Sequence, residues 1–189
     1  HVPWCRRRCS YCDFYFEVGS SQRGFAQRIC QEFERKRKAW PSHSPKTLYL
    51  GGGTPSHLHI EELVALVTDL KSIGQINEWE VSLEANPEDL DEHILASLKS
   101  AGVNRLSIGI QSFDDVVLRW LGRAHDGARA RKVLERAQAL GFERLSVDII
   151  FGHSNHSMET VMTSLQYVGD LKIPHVALYG LTILEGTPF

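Results

Sequence analysis

Apolar residues recur along the chain with two different periods, and the two kinds of segment alternate from end to end. Short runs rich in Leu, Ile and Val predict strands over Thr47–Leu50, Glu80–Ala85, Arg105–Ile110, Leu145–Phe151 and His175–Leu181. Most of them have the composition of strands buried on both faces. Between them, apolar positions at three- and four-residue spacing predict amphipathic helices. The first stripe joins Phe25, Ile29, Phe33 and the more distant Trp40, with Ser21 placed to cap it. Ile60, Leu63, Val64, Val67 and Leu70 form the second, and Leu90, Ile94, Leu95 and Leu98 the third, ended by Gly102. Val133, Leu134, Ala137 and Leu140 follow, ended by Gly141, and Val161, Met162, Leu165 and Val168 complete the series. All these stripes read as core contacts.

A strand followed by a helix, five times over, predicts parallel strands joined by right-handed crossovers. An open or closed α/β barrel and a doubly wound sheet both satisfy that alternation. His1-Val2 reads as the end of a strand whose start is missing, and Gly186-Thr187-Pro188-Phe189 as a loop cut short. Residues 1–189 are therefore expected to be one domain of a longer protein.

In either architecture ligands bind where the strands run out at their carboxyl ends, and polar residues collect there. The cysteine loop follows the first strand, and Gly51-Gly52-Gly53-Thr54-Pro55 the second. Glu84 and Asn86-Pro87 mark the third and Gln111-Ser112 the fourth. Asp148 interrupts the apolar fifth, and Tyr179 and Thr182 mark the sixth. Each has a structural reading: a cap partner for Glu84, a buried acceptor for Asp148, a tight turn for the glycines. Six strands converging on one rim is the layout of an active site.

Composition narrows the classes. The 189 residues suit one buried domain, and a net charge of −2 supplies no field for nucleic acid or an anionic membrane. The basic run Arg35–Lys36–Arg37–Lys38 falls in a helical pattern and reads as a solvated face. No apolar stretch reaches the roughly 18–20 residues of a membrane span, and no secretory signal opens the sequence.

Three of the four cysteines lie within eight residues, which suits a metal site in a reducing compartment better than a disulfide framework. Cys30 reads as a small buried hydrophobe. Cys5, Cys9 and Cys12 have the spacing C-x3-C-x2-C. Three such thiolates can hold three irons of a [4Fe–4S] cube and leave the fourth open for chemistry. A zinc site completed by His1 is the competing reading, although zinc sites more often pair two separated C-x2-C knuckles.

The cysteine spacing followed by a glycine-rich motif resembles the radical S-adenosylmethionine (SAM) superfamily. Fuller strings, from His1-Val2-Pro3-Trp4-Cys5 and Cys9-Ser10-Tyr11-Cys12-Asp13-Phe14 to Leu50-Gly51-Gly52-Gly53-Thr54-Pro55-Ser56, are similar to one branch. Leu83-Glu84-Ala85-Asn86-Pro87, the run Gly102–Phe113 and Leu121-Gly122-Arg123-Ala124-His125 extend that likeness. The branch holds the oxygen-independent coproporphyrinogen III oxidases and the HemW heme chaperones. The resemblance implies a partial (β/α)6 barrel, here truncated at its first strand and lacking a C-terminal domain over the barrel mouth. It implies a [4Fe–4S] cluster on Cys5, Cys9 and Cys12, and SAM cleaved by one electron to a 5′-deoxyadenosyl radical. Tyr11 would then pack near the adenine, and Gly52, Gly53 and Thr54 would line the methionyl group. Glu84 would contact SAM as a carboxylate, Gln111 and Asp148 would reach ribose hydroxyls, and Arg123 would pair with a carboxylate.

Within the branch, the oxidases resemble C-x3-C-x2-C-x-C, whereas Asp13-Phe14 follows Cys12 here. That difference and Thr182–Phe189 resemble HemW. The resemblance then implies heme binding, an electron donor such as a flavodoxin or ferredoxin, and a hemoprotein acceptor. The reducing compartment that the thiols suit is expected to be the cytoplasm, or an organelle such as the mitochondrion. Gly152-His153-Ser154-Asn155-His156 departs from the branch's Gly-Leu-Pro-Gly-Gln, and leaves His153 and His156 as heme-ligand candidates or plain loop histidines.

Overall fold

Period-two alternation in the central strands separates an apolar row from a polar one, and the fold follows from burying the first. In the computed structural model, which describes residues 1–20, 22–41, 45–74, 80–152 and 157–189, seven strands form. Ser21, His153 and His156 lie outside the described residues. β1 (Trp4–Cys5) and β2 (Glu17–Val18) make a short parallel pair at the cysteine loop. β3 (Thr47–Leu50), β4 (Glu80–Ala85), β5 (Arg105–Gln111), β6 (Arg144–Phe151) and β7 (His175–Gly180) form an all-parallel sheet in sequence order. Val2 adds a parallel bridge to Gly52, so the chain leading into β1 lies against the glycine turn that follows β3.

Helices α1 (Phe25–Ala39), α2 (Ile60–Gly74), α3 (Glu92–Ala101), α4 (Asp115–Trp120), α5 (Gly127–Ala139) and α6 (Met158–Asp170) fill the connections. A doubly wound sheet reverses its strand order to place helices on both faces. Here the order never reverses, so same-handed crossovers keep the helices on one face, as in a barrel wall. Leu83, Ile108 and Val147 point to that face and are fully buried with Leu63, Leu95 and Leu134 from the helices.

The opposite face corrects the expectation of strands apolar on both sides. Ser82, Glu84, Ser107, Ser146 and Asp148 alternate with the core residues. β7 departs further, because as an edge strand it leaves Leu178 and Tyr179 half exposed.

Local signals set the helix ends. Asp91, Asp126 and Ser157 accept from the amides of Ile94, Arg129 and Thr160, each cap contributing about 1 kcal/mol. Leu90 is buried just ahead of α3 and outside it. Trp40 and Met162 were expected in the core and are 59% and 56% exposed. Trp40 caps the end of α1, beyond the reach of its apolar stripe. The basic run closes α1 as a solvated turn, with Lys36 and Lys38 paired to Glu32 and Glu34 one turn back. Cys30 is buried. Among the described residues no helix is long and apolar enough to cross a membrane.

Candidate functional site

The polar row and the segments after β3, β4, β5 and β7 enclose a cavity of about 500 Å³ with the cysteine loop. Cys5, Cys9, Cys12, Tyr11, Gly52, Gly53, Thr54, Glu84, Gln111, Arg123 and Asp148 all line it. Every residue expected at the cluster or at SAM thus lines one space, while His153 and His156 lie outside the described residues.

Backbone hydrogen bonds seat the chain entering the cysteine loop on the glycine turn after β3. Val2 N donates to Gly51 O at 2.8 Å, Gly53 N to Val2 O at 2.6 Å and Thr54 N to Trp4 O at 2.8 Å. The approach is too close for a side chain: a Cβ on Gly53 would lie 2.8 Å from Trp4 O and 3.0 Å from Cys5 Sγ. Gly53→Ala is therefore expected to displace the loop at a cost of about 1–3 kcal/mol. Iron retained per chain after anaerobic reconstitution should fall with it. Unchanged melting temperature and iron content would show that the loop yields without cost.

Side chains donate hydrogen bonds to two of the three sulfurs. Thr54 Oγ1 donates to Cys5 Sγ at 3.3 Å, and Arg123 Nη1 to Cys9 Sγ at 3.5 Å. Burial pushes the Cys5 and Cys12 thiols up, against the pull of the Thr54 hydroxyl and the Phe14 amide respectively.

Arg123 is delivered by α4, a helix absent from the sequence expectations. Asp114 caps it, accepting from Val116 N at 2.7 Å and Val117 N at 3.0 Å. Its end docks on the cysteine loop, where Ser10 N donates to Leu121 O at 3.2 Å. Burial opposes the Arg123 charge, but Tyr11, Cys9 and Glu88 outweigh it and hold the guanidinium protonated. Its Nε is buried without a partner. Tyr11 lies beside it, and burial pushes that phenol up against the guanidinium's opposing pull.

Glu84 accepts from Gly52 N at 3.1 Å and from the Tyr49 hydroxyl at 2.5 Å, tying the glycine turn to β4. Across the cavity, Ser107 Oγ donates to Asp148 Oδ1 at 3.4 Å. Burial first, and the nearby Glu84 second, push the Asp148 carboxyl up to about 6, against Ser107. Gln111 has φ of 66°, a left-handed conformation costly for a residue with a side chain, beside an irregularity in the β5–β6 register. Gly109 makes room for it. A Cβ there would lie 2.9 Å from Gln111 Nε2 and 3.2 Å from Asn86 Oδ1.

The donor set fits an iron–sulfur cube with a carboxylate-bearing ligand beside it. Among the described residues no three His, Cys, Asp or Glu side chains converge as a single ion requires. A cube spreads its thiolates over separate irons. His1 Nε2 lies 3.2 Å from Tyr15 O. The unpartnered Arg123 Nε suits a carboxylate.

Sequence reasoning placed Asn86 on the rim without a partner and gave no role to Tyr49, Ser107 or Gly109. Tyr49 and Ser107 occupy the strand positions that alternate with the apolar row, the one signal that marks them.

Known proteins are similar to this chain to different degrees. The heme chaperone HemW of Lactococcus lactis subsp. lactis is 33% identical over 192 residues, covering 100% of this chain and 50% of that protein. HemW of Bacillus subtilis is 35% identical, covering 100% of this chain and 51% of its own length. The radical S-adenosyl methionine domain-containing protein 1, mitochondrial, of Bos taurus is 34% identical, covering 99% and 43%. The chain thus spans about half the length of the curated relatives it matches. Coproporphyrinogen III oxidase of Escherichia coli superposes with a TM-score of 0.83 at 26% identity, over 97% of this chain and 43% of that one. A family description, the Radical SAM superfamily, matches residues 1–168, the stretch that carries the cysteine loop and all the cavity strands except β7. On that match the chain belongs to the radical SAM superfamily.

Proposed function

We propose that this chain is the cofactor-binding core of a HemW-type heme chaperone, with a [4Fe–4S] cluster on Cys5, Cys9 and Cys12 and SAM beside it. The observation that carries this reading is the meeting of three thiols, the Glu84 and Asp148 carboxylates, the Gln111 amide and the buried Arg123 guanidinium in one cavity. Cluster and SAM, when bound, supply one-electron reductive cleavage of the S–C5′ bond of SAM. The residues of the chain bind and orient. Arg123 offers its free Nε to the methionyl carboxylate, and Glu84 offers its carboxylate to the ammonium. Gln111 and Asp148 would reach the ribose hydroxyls, Tyr11 would pack by the adenine, and Gly52, Gly53 and Thr54, which line the same cavity, would wall the methionyl group.

Heme binding and its delivery to a hemoprotein rest on the relatives named heme chaperones. Phe14, 71% exposed at the cavity, offers apolar surface of the kind a tetrapyrrole face needs. It also stands where the oxidase pattern places its further cysteine. A flavodoxin or ferredoxin would supply the electron, in the cytoplasm or, as the name of the bovine relative suggests, in the mitochondrion.

The superposition on coproporphyrinogen III oxidase favours a second reading, oxidative decarboxylation of the porphyrinogen. One anaerobic preparation separates the two. Iron content, heme titration, 5′-deoxyadenosine release and porphyrinogen turnover are measured on it with SAM and reductant. Iron-loaded protein that binds heme without turning over coproporphyrinogen is the expected result. Turnover would establish the oxidase reading. One zinc and no iron would replace both with a zinc-stabilised binding module.

A further inference from the structure

Two of the cysteine thiols are linked through three polar side chains, and Asn86 stands in the middle. Its Nδ2 donates to Thr54 Oγ1 at 3.3 Å, and Thr54 Oγ1 donates in turn to Cys5 Sγ at 3.3 Å. Its Oδ1 accepts from Arg123 Nη2 at 2.6 Å, and Arg123 Nη1 donates to Cys9 Sγ at 3.5 Å. Arg123 Nη2 is also held by Gly109 O at 2.8 Å.

The direction of every bond in this chain is determined. A guanidinium only donates, so the amide oxygen of Asn86 must face Arg123 and its nitrogen must face Thr54. The Thr54 hydroxyl has one proton. With its oxygen already accepting from the amide, that proton is left for Cys5. An acceptor in place of the amide nitrogen would draw the proton away from the sulfur. The Asn86 backbone is fixed as well. It sits in the extended conformation favoured before Pro87, and its N–H donates to Ser56 Oγ at 3.1 Å. Ser56 Oγ donates to the buried Asp89 at 3.1 Å.

Hydrogen bonds to cluster sulfurs stabilise the more negative, reduced state and so raise the reduction potential. We propose that Asn86 is a positioning residue that sets the potential of the cluster, directing the Thr54 hydroxyl onto Cys5 and the Arg123 guanidinium onto Cys9. The inference rests on the reading that these cysteines carry a [4Fe–4S] cluster.

The test is a potentiometric titration of the reconstituted protein without SAM, followed by electron paramagnetic resonance, with iron counted on each sample. Asn86→Leu keeps the branched heavy-atom skeleton and removes both amide contacts. It is expected to lower the reduced-to-oxidised ratio at the parent midpoint about tenfold, a shift of about 59 mV for one electron. Thr54→Val is expected to shift the midpoint the same way by less. The double variant should match Asn86→Leu alone, because Thr54 has then already lost its direction. Where Asn86→Leu retains less than full iron, Asn86→Asp replaces it. The new carboxylate keeps the Arg123 bond and reverses the Thr54 one, with the same downward shift expected.

A full-iron Asn86 variant with the parent midpoint overturns the proposal, as do additive shifts in the double variant. A merely structural role would lower iron content and leave the midpoint of the remaining clusters unmoved. An iron-free parent protein would instead fail the cluster reading itself, so the two failures are distinguishable.

Discussion

Cys9→Ala is expected to leave the protein folded and nearly free of iron after anaerobic reconstitution, without the visible absorption of a cluster. Cys9 is one of three cavity thiols in a loop that backbone hydrogen bonds hold against Gly53 and Leu121. Loss of a residue that merely supports a metal ligand already costs roughly 10–100-fold in affinity, and loss of a ligand costs more. The fold should survive, because the core lies on the opposite face of the sheet, under the helices. Cys30→Ala is the matched control. That thiol is buried on α1, away from the cavity, so its removal should cost some stability and no iron. Iron and colour retained in Cys9→Ala would remove the cysteine loop from the site.

The second large effect has the opposite sign for stability. Asp148→Asn is expected to make the cofactor-free protein more stable at pH 7.5 and to weaken SAM binding. Burial and the neighbouring Glu84 push the Asp148 carboxyl from 3.8 to about 6. The folded state therefore binds more protons than the unfolded state between those values, and stability falls as pH rises through them. The penalty is absent below about pH 4 and complete above about pH 6, where it amounts to about 3 kcal/mol. An amide keeps the acceptor for Ser107 Oγ and carries no charge, so it removes that penalty. Denaturant titrations across this pH range should show the two proteins converging at low pH and separating above it. A gap independent of pH would mean that Asp148 is not a desolvated carboxylate. The gain in stability with loss of binding is the trade expected where a buried charge serves a ligand.

Much of the site was legible before the fold was known, because its signals are local. Cys5, Cys9 and Cys12 sit on one loop, so their spacing carries their geometry. Glu84 and Asp148 stand out as acids in apolar runs, and three glycines before Thr54 exceed the needs of a turn. The hidden parts depend on partners far along the chain. Asn86 meets Thr54 across 32 positions and Arg123 across 37, and nothing near Asn86 in sequence announces either. Helix α4 spans six residues, too few for a periodic signal, yet it places Arg123 beside Cys9.

By itself, then, the sequence determined the alternation of strand and helix, the strand ends that carry chemistry and the residue types gathered there. Backbone periodicity and loop spacing act over a few residues and can be read in order. Tertiary structure alone decided between barrel wall and doubly wound sheet, because that choice lies in the pairing order β3-β4-β5-β6-β7 and the register between strands. It also decided the direction of each hydrogen bond onto the sulfurs, since donors and acceptors acquire direction only when distant residues meet.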